Sequence, residues 1–119
     1  MANEFKTLRC AKATYDFSIH GGAQQNALGL GVIIPNNAII HSVTGSVQTP
    51  WAGAGSTIAI NIGSVEVNVA TAFDHADYSG IDVHFNTLTL TTESGEINID
   101  IAGANVTGGK YDIYVMYFY

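Results

Sequence analysis

The chain has 119 residues, 47% of them hydrophobic and 12% charged, with a net charge of −6. That length is one domain with enough interior for a real core, and a composition so rich in hydrophobes and poor in charge excludes disorder. Four Lys and Arg residues are too few to neutralise a phosphate backbone or an anionic membrane surface, so nucleic acid and membrane are both excluded as expected partners.

Taken in order, the chain reads as period-2 alternation, with no helical stripe. The first strand is expected over 5–19, and residues 1–12 read as an N-terminal docking arm or an edge strand. Lys6, Arg9 and Lys12 concentrate three of the four bases there, which suits electrostatic docking on an acidic neighbour or the lysine protection of a sheet edge. Cys10 has no partner for an internal disulfide, and its strand context reads as a buried or half-buried inert thiol. His20-Gly21-Gly22 ends this region. Further strands are expected over 27–34 and 38–48, separated by a turn at Pro35-Asn36-Asn37. The segment from Pro50 to Gly55 reads as a Gly- and Ala-rich loop around Trp51, which is either a plug over the end of the fold or an exposed anchor.

Strands over 56–62 and 65–70 follow, with Ile58, Ile60 and Ile62 on one face of the first, and Val65, Val67 and Val69 on one face of the second. Residues Thr71 to Gly80 read as a long surface loop. Strands are then expected over 81–85 and 87–92, a hairpin turn at Glu93-Ser94-Gly95-Glu96, and strands over 97–102 and 110–118. The last is apolar on both faces: Tyr111, Ile113, Val115, Tyr117 and Tyr119 on one, Tyr114, Met116 and Phe118 on the other with Asp112 as its charge. A two-sided apolar strand needs cover on both sides. One cover is the core; the second is either a neighbouring subunit, with Tyr114, Met116 and Phe118 as the candidate interface, or a loop or the N-terminal segment folded over the strand. Eight or nine short strands make this a single all-β domain over 1–119, an antiparallel β-sandwich of jelly-roll type.

Candidate chemistry is thin. Asp74, His75, Asp77, Asp82 and His84 are the densest group of possible metal ligands, but their spacing matches neither a zinc nor a calcium pattern, so a solvated loop and strand face is the preferred reading. His20 and His41 stand apart in sequence, no serine sits in a nucleophile elbow, and no helix follows the glycines to make a phosphate loop. No enzymatic activity, metal or cofactor is expected. The Asn105-Val106-Thr107 sequon is read as accidental, because no signal segment opens the sequence and synthesis in a cytosol is the expectation.

Several stretches together carry a resemblance. Leu8-Arg9-Cys10-Ala11-Lys12-Ala13-Thr14-Tyr15-Asp16-Phe17 is followed by Gly21-Gly22 and Leu28-Gly29-Leu30-Gly31-Val32-Ile33-Ile34-Pro35. Then come Ala38-Ile39-Ile40, Ser56-Thr57-Ile58-Ala59-Ile60-Asn61-Ile62-Gly63 and Gly108-Gly109-Lys110-Tyr111-Asp112-Ile113-Tyr114-Val115. Over nearly its whole length the chain resembles the small β-sandwich head decoration, or cement, proteins of tailed bacteriophages. The resemblance is one of pattern, without a defining motif. It implies a homotrimer on the outer capsid surface of a virion, bound to the major capsid protein and bracing the shell without catalysis or cofactor. On that reading Phe5, Lys6, Arg9, Lys12 and Trp51 are the candidates for docking the capsid. The alternative is a carbohydrate- or receptor-binding module of a fibre, with Trp51 and the tyrosines stacking on sugar faces.

Overall fold

The computed structural model describes residues 7–72, 81–90 and 94–119, and for 47, 50, 51, 66–72 and 81–90 it describes the backbone alone. The expected all-β sandwich is what forms. Among the described residues eight strands run in the order β1 (Leu8–Asp16), β2 (Gln25–Ile34), β3 (Ile39–Ala52), β4 (Thr57–Ile62), β5 (Val65–Ala72), β6 (Ile81–Leu90), β7 (Gly95–Ala102) and β8 (Gly108–Phe118). They make two four-stranded sheets, β1-β8-β3-β6 and β2-β7-β4-β5, with every pair antiparallel. The chain changes sheet at every connection but one, which is the jelly-roll arrangement. The exception is the β4–β5 hairpin, turned by Gly63 and Ser64 with Gly63 at φ 59, glycine in the leading position of a two-residue turn.

The alternation places the core as expected. Ile58, Ile60 and Ile62 on β4 pair in register with Ile101, Ile99 and Ile97 on β7. They face Ala13 and Tyr15 of β1, Ile40 and Val43 of β3, and Tyr111, Ile113 and Val115 of β8, all buried in one cluster. Two close approaches set its shape. A Cβ at Gly45 would overlap the Tyr111 ring, and one at Gly22 would overlap the Val106 carbonyl. Gly22 and Val106 are tied by the Val106 N–H donating to the Gly22 carbonyl at 2.8 Å, and the Thr107 N–H donates to the Ala52 carbonyl at 2.8 Å. These bonds draw the loops after β1, β3 and β7 together over one end.

Several boundaries differ from expectation, each for a local reason. The first strand stops at Asp16, where α1 (Phe17–His20) begins, because the Asp16 carboxylate accepts the Ser18 N–H at 2.9 Å and caps the turn. Pro50 and Trp51 belong to β3 rather than to a loop. The ladder to β8 slips between Val47 and Thr49 and again between Thr49 and Ala52, and such a slip is where a residue without an N–H can stand in a strand. Over 81–90 the strands expected at 81–85 and 87–92 are one, β6; 91 and 92 lie outside the described residues. Its register to β3 jumps from His84 opposite Ser42 to Thr89 opposite Ile40, so the expected break survives as an irregularity. The hairpin expected at Glu93 to Glu96 does not form, since β6 and β7 lie in different sheets. Of the loop expected over Thr71 to Gly80, Thr71 and Ala72 are in β5, and 73–80 lie outside the described residues.

Candidate interaction surface

The outer face of the β1-β8-β3-β6 sheet carries a graded set of side chains. Register pairs Leu8 with Phe118 and Phe118 with Ile39; Cys10 with Met116 and Met116 with Ser42; Lys12 with Tyr114 and Tyr114 with Thr44; and Thr14 with Asp112 and Asp112 with Ser46. The rows therefore run from apolar at the Leu8 end to polar at the Thr14 end. Tyr114, Met116 and Phe118 are half-buried, as is Ile39, and Leu8 is 48% exposed. The candidate subunit residues thus do share the outward face. Leu8, Cys10 and Ile39 complete the patch; the β1 alternation of Leu8, Cys10, Lys12 and Thr14 was the signal for two of them. Cys10 is exposed rather than buried, because β1 turns Ala13 and Tyr15 inward and so Cys10 outward. His41 meets Phe118 edge-on at 5.8 Å between ring centroids.

At the polar end Asp112 is 4% exposed. Its carboxylate accepts the Thr14 hydroxyl at 2.7 Å and faces Lys12 Nζ at 3.6 Å. Lys12 lies over the Tyr114 ring at 5.9 Å, and Arg9 over the Tyr119 ring at 5.5 Å. A buried carboxylate held by both a hydroxyl and an ammonium fastens the edge strand to its neighbour.

The proposed capsid-docking set is not one cluster. Phe5 and Lys6 lie outside the described residues. Arg9 and Lys12 are three apart on one strand, hence on opposite faces. Trp51 stands near Ala52, which pairs with Gly108, whereas Arg9 pairs with Tyr117. Those rungs are nine positions apart along β8, roughly 30 Å.

The opposite sheet presents a different outer face, whose polar groups bond to one another. Asn61 Nδ2 donates to Asn98 Oδ1 at 3.0 Å, and Asn98 Nδ2 donates to the Gly63 and Glu96 carbonyls, each at 3.0 Å. The Glu96 carboxylate accepts the Gly31 N–H at 2.9 Å and that of Asp100 the Ala27 N–H at 2.7 Å. Both acceptors sit where β2 slips register against β7, so side chains replace missing ladder bonds.

Asp16, Ser18 and His20 come together at α1, but their bonds are those of a cap. Asp16 Oδ1 accepts the Ser18 hydroxyl at 2.7 Å, which with the Ser18 N–H holds its carboxyl below the usual range. His20 Nδ1 contacts the Asp16 backbone, at 3.1 Å to the N–H, and stacks on Tyr15 at 5.7 Å. Burial, followed by the nearby Asp16 charge, pushes the Tyr15 hydroxyl up to about 12; it donates to the Gly21 carbonyl at 2.5 Å. Asp74, His75 and Asp77 lie outside the described residues. Asp82 and His84 are placed only by backbone, opposite Thr44 and Ser42. Among the described residues no three His, Cys, Asp or Glu side chains are grouped to hold a metal, and no helix is long and apolar enough to cross a membrane.

No protein-family profile and no curated protein sequence matches the chain. Solved structures do match in fold. A chain of the capsid asymmetric unit of cyanophage Pam1 superposes with a TM-score of 0.68 at 20% identity, over 99% of this chain and 89% of that one. A chain of the capsid of Ralstonia phage GP4 gives 0.68 at 12% identity, over 99% and 88%. One from the acidic stable capsid of Helicobacter pylori bacteriophage KHP30 gives 0.61 at 19%, over 98% and 90%. This chain therefore has the fold of chains found in three phage capsids.

Proposed function

We propose that the protein is a structural virion component, a capsid decoration or cement subunit that binds the major capsid protein on the outer head surface and stabilises the shell. The observation that carries this reading is the likeness, over nearly the full length of each chain, to chains from three phage capsids. The outer face of the β1-β8-β3-β6 sheet supports it. Half-buried Tyr114, Met116 and Phe118 with exposed Leu8 form an aromatic and aliphatic patch of the kind found at the centres of protein interfaces. Packing that patch against sister copies would give the homotrimer. A net charge of −6 suits the side of a shell away from packaged nucleic acid. The role is mechanical and asks for no reaction, metal or cofactor.

The test is to mix purified protein with undecorated heads and follow co-sedimentation, with the mass of the free protein measured by light scattering. A trimer that saturates heads and raises their disruption temperature is expected. A monomer that never binds heads would overturn the proposal.

A further inference from the structure

Four strands border the two sheets: β1 and β6 in one, β2 and β5 in the other. Such edges display unpaired backbone groups, and proteins commonly blunt them with bulges. Three of the four are irregular. β2 slips register twice against β7, with Ala27 and Gly31 at positive φ. β5 slips twice against β4, and β6 jumps against β3. β1 alone pairs without a slip, from Leu8 opposite Phe118 to Asp16 opposite Lys110.

The direction of its backbone groups follows from the ladder. Thr7 and Tyr119 exchange both N–H···O bonds, each at 3.0 Å. In an antiparallel pair such exchanging rungs alternate with non-bonded ones. Thr7, Arg9, Ala11, Ala13 and Tyr15 therefore bond to β8, whereas Leu8, Cys10, Lys12 and Thr14 point their N–H and C=O groups at the free edge. Among the described strands β1 pairs with β8 alone. The lysine that would normally guard such an edge is drawn away from it, since Lys12 is held over Tyr114 and against Asp112.

Charge identifies the occupant. On β1 and β8 the cations Arg9, Lys12 and Lys110 outnumber the carboxylates Asp16 and Asp112, in a chain whose net charge is −6. The other edge strands hold no cation: β2 is uncharged, β5 has Glu66 and β6 has Asp82. Two copies of β1 laid side by side would bring like charges together. We infer that β1 accepts an extended, acidic segment of the partner protein as an added fifth strand of its sheet, main-chain bonds supplying affinity and Arg9 selecting for acid. This rests on the head-docking reading and names the element that performs it.

The test uses the whole chain and undecorated heads. Cys10→Pro deletes one edge-facing N–H and fills its place with a ring, yet leaves the bonds to β8 intact because position 10 is a non-bonded rung; Cys10→Ala is the control. Expected is binding by C10P at least about tenfold weaker than by C10A, which removes the thiol from the outward patch but keeps the N–H, the difference being the loss of one main-chain bond plus a steric block. Arg9→Glu should weaken binding as well. Amide exchange on the wild-type complex gives a reading independent of any variant's folding. Leu8, Cys10, Lys12 and Thr14 gain protection, whereas Arg9, Ala11 and Ala13 stay as they were. Undiminished binding by folded C10P, or protection gained without that alternation, overturns strand addition and leaves head docking standing. Wild-type protein that does not bind heads overturns both, and undiminished binding by R9E overturns the choice of an acidic occupant.

Discussion

Replacing Gly45 with alanine tests the packing of the core at its tightest point. Gly45 lies on β3 opposite Ile113, and the place where its Cβ would stand is occupied by Tyr111. The added methyl would overlap Oη and Cζ and come within 2.8 Å of Cε2, where carbon atoms normally rest about 3.5–4.0 Å apart. Tyr111 is 1% exposed, so its ring has no empty space to enter, and overpacking at such a site costs about 3 kcal/mol, the upper part of the usual range. Alanine in a strand recovers about 0.5–1 kcal/mol of backbone entropy relative to glycine. The net loss is about 2 kcal/mol. For a chain of 119 residues the unfolding entropy is about 0.25 kcal/mol/K, so the melting temperature should fall by about 8 °C. Urea and thermal unfolding followed by circular dichroism, at fixed protein concentration, measure it. In a Tyr111→Leu background the same substitution should be neutral or slightly stabilising. Wild-type stability in G45A, or an equal loss in both backgrounds, would refute the assignment of the clash.

Gly22→Ala meets the Val106 carbonyl, with Phe17 Cε2 at 2.9 Å on another side, so the loop must move; a loss of about 3 kcal/mol in urea titrations is expected. Ala27→Gly relieves a residue held at φ 56 and should raise stability by about 0.5 kcal/mol, the relief of left-handed strain less the added chain entropy. Tyr15, raised to about 12 in the folded protein, stays protonated while the unfolded chain ionises near its ordinary value of about 10. Its contribution is therefore complete below pH ~10 and is lost as pH rises toward ~12, about 2–3 kcal/mol in all. Alkaline melts should show this loss, Tyr15→Phe should remove it, and absorbance at the tyrosinate band should lose a late-titrating component in that variant. Asp16 has the opposite sign: its depressed value means the cap is formed above the ordinary carboxylate range and lost as pH falls through the folded value. A carboxyl shift of Asp16 that titrates at the ordinary value would contradict the cap.

How much of this was legible beforehand depends on the range of the interaction. Faces follow from alternation within a strand, so the shared face of Ile58, Ile60 and Ile62 was read directly from their spacing, and it is the face that lies in the core. The outward Tyr114, Met116 and Phe118 were legible for the same reason. Partners were not. Nothing local tells Glu96 that β7 will lie beside β2 rather than β6, and so a hairpin was expected where the chain crosses between sheets. The basic residues read as one patch because they are near in sequence, whereas a strand sends Arg9 and Lys12 to opposite faces and its length carries Trp51 far from both. Proline and tryptophan at 50 and 51 read as a loop because a register slip, which admits proline to β3, depends on the neighbouring strand. The free edge of β1 could be seen only once the other three edges had been placed.

The central claim, as proposed above, is that this jelly roll is part of a phage head, packing against sister copies through the outer face of the β1-β8-β3-β6 sheet and docking on the shell through the edge of β1. A density map of the intact particle tests it most directly. The account predicts trimers of this fold on the outer shell, with a neighbour's extended segment running beside Leu8 to Thr14. A particle whose heads lack this chain, or density in which the edge of β1 is open to solvent, would contradict it.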